Sequence, residues 1–178
     1  MNSTRLLQPV DEKHPGFWLF LGVCLVTGAA IRFSYLFQES LWPDEALYLY
    51  IARNLAADFS NLTDIYGKGF YHSPPLLLYL LSLFAKIPFL PFEQTARAVI
   101  SLMGVGTVAA VFFIGKKVYN PVVGLIAAGL TAVCPLANWN EVRILTDGPV
   151  VFFIYLAICM LVYGKKGPYC FFAFCAIL

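Results

Sequence analysis

Residues 38–50 read QESLWPDEALYLY and place two adjacent carboxylates, Asp44 and Glu45, just beyond the first long apolar run of the chain. Pro43 suits the first turn of a helix, where its missing N–H costs nothing. Acidic residues in that turn face the positive end of the helix dipole. Leu47, Ile51 and Leu55 follow at four-residue spacing, the stripe of an amphipathic helix. The stretch therefore predicts a helix over 43–57, bounded by Pro43 and Asp58, lying along a membrane surface with its apolar side down. The two carboxylates admit two readings at this point. They are either an ordinary helix start or a pair in which one member is a general base.

Composition sets the solvent around that helix. The 178 residues are 60% hydrophobic and only 12% charged, with a mean hydropathy of +0.76. A soluble domain is nearer half apolar with about a quarter charged, so the chain belongs in a bilayer. A net charge of +2, with Lys and Arg strung along the sequence, gives no nucleic-acid surface. The five cysteines (24, 134, 159, 170 and 175) all sit within apolar runs. None is paired at metal-ligand spacing and the count is odd, so they read as small hydrophobes and not as disulfides.

Working outward, residues 1–15 are polar and mixed in charge, as in a short cytoplasmic tail. The next run, about 16–37, is apolar except for Arg32 and matches the roughly 20 residues that cross a hydrocarbon core. A cleaved signal peptide is the rival there, because Gly28-Ala29-Ala30 resembles a cleavage site. The apolar run continues past it, and Asp11 and Glu12 spoil a basic leader. Further spans are predicted at about 95–115, 121–138 and 148–163. A last one, 168–178, is cut off by the end of the sequence, as in the front part of a larger protein. The run 74–90 holds Lys86 and Pro88 and is of marginal length.

Topology follows from charge. Lys116-Lys117 and Lys165-Lys166 end two of the spans, and short basic loops prefer the cytoplasm. If 74–90 does not cross, both pairs fall inside with the N-terminus, while Asp44, Glu45 and Asp147 share the other face. If it crosses, Asp147 and Asp44 are separated. The first arrangement meets every constraint. It makes 38–93 one long external loop carrying helices 43–57 and 74–90, the whole being an all-α polytopic membrane protein.

Three polar features converge on that external face: Trp42-Pro43-Asp44-Glu45, Tyr71-His72-Ser73-Pro74-Pro75, and the segment from Asn140 through Arg143 to Asp147. Ionisable groups at the membrane boundary are costly and point to function. Backed by apolar helices, they suit an amphiphilic substrate. Gly104-Val105-Gly106 lies inside a span and reads as helix packing. No glycine pattern for a soluble nucleotide follows a strand. Of the glycosylation-like triplets, Asn2-Ser3-Thr4 and Asn61-Leu62-Thr63, only the second would face a lumen.

The order of these motifs resembles a family. An apolar span is followed by Pro-Asp-Glu-Ala (43–46), Pro-Pro-Leu (74–76) and Ala-Arg-Ala (96–98), which opens a span ending Ile-Gly-Lys-Lys. Then come Val-Gly-Leu-Ile-Ala-Ala-Gly-Leu (123–130), Pro135 and Arg-Ile-Leu-Thr-Asp (143–147). Over about 17–165 the chain is similar to the N-terminal module of GT-C superfamily membrane glycosyltransferases of the protein O-mannosyltransferase and lipid A aminoarabinose transferase types. The resemblance implies an inverting enzyme that moves a sugar from a polyprenyl- or dolichyl-phosphate donor to a hydroxyl acceptor (lipid, glycan or protein) on the non-cytoplasmic side. It carries the base over to Asp44, with Glu45 beside it, and a sugar, acceptor or metal role to Asp147. His72 matches the histidine before Pro-Pro in mannosyltransferase-like members only with Ser73 as an insertion. Ser73 itself stands where aminoarabinose transferase-like members have Lys, so Lys68 or Arg143 is left to meet the lipid phosphate. A phosphate and an Arg fork match in geometry, and a placed carboxylate can take the acceptor proton. No cofactor is fixed by these residues, and a divalent metal ion stays open. Two other classes compete: a non-catalytic subunit or inactive truncated piece, and a transporter component, whose ionisable residues would lie at mid-membrane on broken helices.

Overall fold

The computed structural model describes residues 15–37, 40–70, 75–87 and 90–177. Among these residues the chain forms eight α-helices and no strand: α1 (Pro15–Ser34), α2 (Pro43–Ala57), α3 (Leu76–Phe84), α4 (Phe92–Val118), α5 (Pro121–Val133), α6 (Pro135–Asn140), α7 (Asp147–Val162) and α8 (Lys166–Ile177). Two of them, α1 and α4, are long and apolar enough to cross a membrane.

Local chemistry sets the ends. α2 opens with Pro43 in its first turn, and the Glu45 side chain reaches back to the Trp42 N–H at 2.9 Å, the carboxylate half of a capping box. Asn120 caps α5 by accepting the Val123 N–H at 2.9 Å, a preferred N-cap geometry. Glu93 in the first turn of α4 and Lys116 and Lys117 in its last complement the helix dipole. Gly164, at φ 72°, makes the turn between α7 and α8, a conformation glycine adopts without steric cost.

Element limits differ from the sequence expectation in three places. Among its described residues the run 74–90 is helical over nine, Leu76–Phe84. A turn at Ala85 and Lys86 ends α3, and the next helix starts after Pro91. α4 is correspondingly longer than 95–115, with 27 residues, about 40 Å at the usual rise. The stretch 121–138 is two helices, because Cys134 is extended (φ −62°, ψ 117°) before Pro135, as residues preceding proline are pushed to be.

α4 is the axis of the fold. Along its length it packs against α5, α7 and α1, and at its N-terminal end against α2 and α3. Two apolar clusters result. One joins Ile51 and Leu55 of α2, Leu78 and Leu81 of α3, Ala96 and Ile100 of α4, and Ile144. The other joins Phe17 and Leu21 of α1 to Val108 and Phe112 of α4 and Ala128 and Ala132 of α5. α4 and α5 meet through glycine: a Cβ on Gly124 would lie 2.6 Å from the Phe112 carbonyl oxygen, and one on Gly115 would lie 2.7 Å from the Gly124 Cα. Such small residues let helix backbones approach closely. Gly106 makes room for the Phe152 ring, and Gly104 for the side chains of Arg32 and Glu141.

The packing sorts the helix ends. Lys116 lies over the Trp18 ring at 5.4 Å and Lys117 over Tyr163 at 5.6 Å. The start of α1, the end of α4 and the end of α7 therefore share one end of the bundle. The first turns of α2 and α4 and the α6–α7 junction share the other.

Candidate active site

Asp44 and Glu45, neighbours in sequence, meet different surroundings. Asp44 is exposed, whereas Glu45 is fully buried. The Glu45 carboxylate accepts the Trp42 N–H at 2.9 Å, the Ile144 N–H at 2.8 Å and Arg97 Nη2 at 3.3 Å. Arg97 is itself fully buried and also donates to Glu93 at 3.3 Å and to the Val142 carbonyl at 3.4 Å. A buried carboxylate is tolerated when it is paired and hydrogen-bonded. Here the pairing fastens the first turn of α2 to α4 and to the segment before α7.

The Trp42 and Asn140–Asp147 features are thus brought together. Because Glu45 touches Ile144, Asp44 and Asp147 belong to the same end of the bundle, each within a few residues of that contact. Asp147 is exposed at the first position of α7. Arg143 is only 3% exposed, its guanidinium carbon 4.2 Å from the centre of the Trp42 ring and 3.9 Å from that of Trp139. The two indoles meet edge to face, with centroids 6.4 Å apart. The guanidinium thus lies over both indole rings, a cation–π contact with each.

Asp44 lines a cavity of about 370 Å³ between the first turn of α2 (Pro43, Asp44, Ala46, Leu47) and the following loop (Asp64, Ile65, Tyr66, Phe70). That loop is a built turn. Thr63 and Gly69 pair across it, Asp64 Oδ1 accepts the N–H groups of Tyr66 at 2.8 Å and Lys68 at 2.9 Å, and Gly67 has φ 72°. Phe70 is buried edge-on against Tyr48 of α2, with centroids 6.0 Å apart, which pins the loop to the helix. Lys68 is exposed on this turn. His72 and its neighbours Tyr71, Ser73 and Pro74 lie outside the described residues. No group of three or more potential metal ligands occurs among the described residues.

The sequence reading assigned no role to three buried charges. Besides Arg97, these are Arg32 and Glu141, which pair inside the bundle. Arg32 Nε donates to Glu141 Oε2 at 2.9 Å, Nη2 donates to the same oxygen, and Nη1 donates to the carbonyls of Gly28 at 3.0 Å and Ala132 at 3.3 Å. The signal was present, since a lone arginine in an apolar span must find a partner. Which acid it would find lay 109 residues away.

No curated protein and no solved structure matches the chain. A family model described as dolichyl-phosphate-mannose-protein mannosyltransferase matches residues 72–175, more than half of the sequence. With Arg143, Asp147 and helices α3 to α7 inside that match, and with the helical architecture expected of it, the chain belongs to the dolichyl-phosphate-mannose-protein mannosyltransferase family, as a GT-C-type mannosyltransferase-like module.

Proposed function

We propose that this chain is the N-terminal module of a multi-pass, inverting glycosyltransferase. It takes a sugar from a dolichyl- or polyprenyl-phosphate donor and passes it to a hydroxyl acceptor on the non-cytoplasmic face. The family's own donor, dolichyl-phosphate mannose, supports the donor class. The sorting of helix ends supports the orientation: both Lys pairs lie at the end of the bundle away from Asp44 and Asp147, as short cytoplasmic loops require.

The observation that carries the reading is the contrast within the Asp44-Glu45 pair. Asp44 is exposed on a cavity, where a substrate hydroxyl can reach it. Glu45 is a positioning residue, its carboxylate spent on Trp42, Ile144 and Arg97. In the reaction, the acceptor oxygen bonds to the anomeric carbon as its proton passes to the Asp44 carboxylate. The bond between that carbon and the lipid phosphate breaks on the opposite side, and the electron pair leaves with the phosphate. Its growing charge is met by the fixed cation Arg143 and by Lys68. Asp147 orients the sugar or acceptor, and His72 is a further substrate contact.

The test is sugar transfer from dolichyl-phosphate mannose by the full-length protein. Asp44→Asn removes the base while keeping shape and is expected to lower turnover by about 10²–10⁴-fold, the usual worth of general base catalysis. Unchanged turnover would remove Asp44 from the role.

A further inference from the structure

The cavity beside Asp44 has a character of its own. Of its eight described lining residues, two are carboxylates (Asp44 and Asp64), five are apolar or proline, and one is Tyr66. No cationic side chain is among them. Tyr66 is 79% exposed and Ile65 57% exposed, although the turn that bears them is closed by backbone bonds between Asp64 and Lys68 and between Phe70 and Leu62. An apolar and aromatic tip held on a rigid turn is a surface ready for contact. It costs little ordering entropy when it binds.

We infer that this cavity is the acceptor subsite, and that it selects a hydroxyl whose immediate neighbours are neutral or cationic, with Tyr66 as the contact platform and Asp64 as the charge filter. The inference rests on Asp44 being the base, because the base must face the attacking hydroxyl. An acceptor carrying phosphate or carboxylate next to that hydroxyl meets two negative charges among the described lining residues, Lys68 of the same turn being assigned above to the donor phosphate. A lysine-flanked or uncharged acceptor does not. Like-charge juxtaposition of this kind sets specificity more than affinity.

The experiment uses the full-length protein with dolichyl-phosphate mannose and three peptides, each bearing one Thr flanked on both sides by Lys, Gln or Glu. Wild type is expected to use the Lys and Gln peptides with kcat/KM roughly fivefold or more above the Glu peptide, the worth of a partly screened charge pair. Asp64→Asn keeps the oxygen that closes the turn, and it is expected to bring the three values together. Tyr66→Ala is expected to raise KM severalfold for all three. Equal use of the three peptides by wild type overturns the inference, as does a preference that Asp64→Asn leaves intact. Transfer to none of the peptides, while the donor is consumed with another hydroxyl compound, overturns the acceptor class. Asp44→Asn measured in parallel separates the two readings. If it retains turnover, Asp44 is not the base and the inference falls with that reading; if it loses turnover while wild type uses the three peptides equally, the inference alone fails.

Discussion

Removing Glu141 is the perturbation whose consequence is most sharply defined. Arg32 is completely buried and Glu141 is 2% exposed. The guanidinium directs Nε and Nη2 to one carboxylate oxygen, and Nη1 to the carbonyls of Gly28 and Ala132. Glu141→Leu leaves that guanidinium in the bundle interior with only neutral carbonyls to face. Breaking a buried pair by removing one partner costs about 3–5 kcal/mol. For a folding unit of 150–250 residues, each kcal/mol moves Tm by roughly 2–4 °C, so the expected drop is roughly 6–20 °C. Arg32→Met should lose a similar amount by stranding the carboxylate. The double variant Arg32→Met/Glu141→Leu removes both charges at nearly constant volume, and such replacements are often neutral or stabilising. It is therefore expected to recover most of the loss. The assay is thermal unfolding of the detergent-solubilised protein, with the four proteins forming a double-mutant cycle. Single variants within about 2 °C of the parent, or a double variant as unstable as the worse single, would refute the view that this pair holds α1 to the α6–α7 junction.

Three further outcomes follow from the same geometry. Glu45→Gln removes the charge that faces Arg97 and turns one of the two accepting oxygens into an NH2 set against a backbone N–H, of Ile144 or of Trp42, at a cost of about 2–3 kcal/mol. Thermal stability and turnover should fall together, whereas Asp44→Asn, at an exposed position, should lower turnover with Tm unchanged. Gly124→Val drives carbon into the Phe112 carbonyl and the Lys116 nitrogen, which are backbone atoms that cannot rotate away. It should destabilise by about 3 kcal/mol or more, above ordinary overpacking, while Gly129→Ala, whose nearest neighbour would be Cys24 Sγ at 3.7 Å, should behave as the parent in the same melt. Arg143→Lys keeps the charge but loses the planar guanidinium held over Trp42 and Trp139. With about 0.5–2 kcal/mol for each such contact, kcat/KM for the lipid-phosphate donor should fall by roughly fivefold to several hundredfold. An unchanged value would mean that these ring contacts hold nothing the reaction uses.

The sequence by itself determined the class of the molecule. Long apolar runs with few charges require backbone groups to bond within their own segment, and among the described residues every regular element is a helix. Pro43 followed by two acids, and leucines and isoleucine at four-residue spacing, made α2 legible because both signals are local. The Pro-Asp-Glu-Ala to Arg-Ile-Leu-Thr-Asp order made the family legible before any coordinate was known. Proline punctuation was readable too, but its weight was not. Pro135 divides 121–138 into two helices, and among its described residues the stretch 74–90 keeps nine helical ones.

Only the tertiary structure decided which charges are buried in the packing and which stand exposed. Asp44 and Glu45 carry the same local signal. A step of about 100° along the helix turns one to a cavity and the other into the core, and the direction of that turn is set by Arg97 and Ile144, 52 and 99 residues away. Arg32 and Glu141 show the same limit. Desolvation tells a reader that a buried charge needs a partner, and it is the packing of α1, α4 and α6 around Gly104 that names which one.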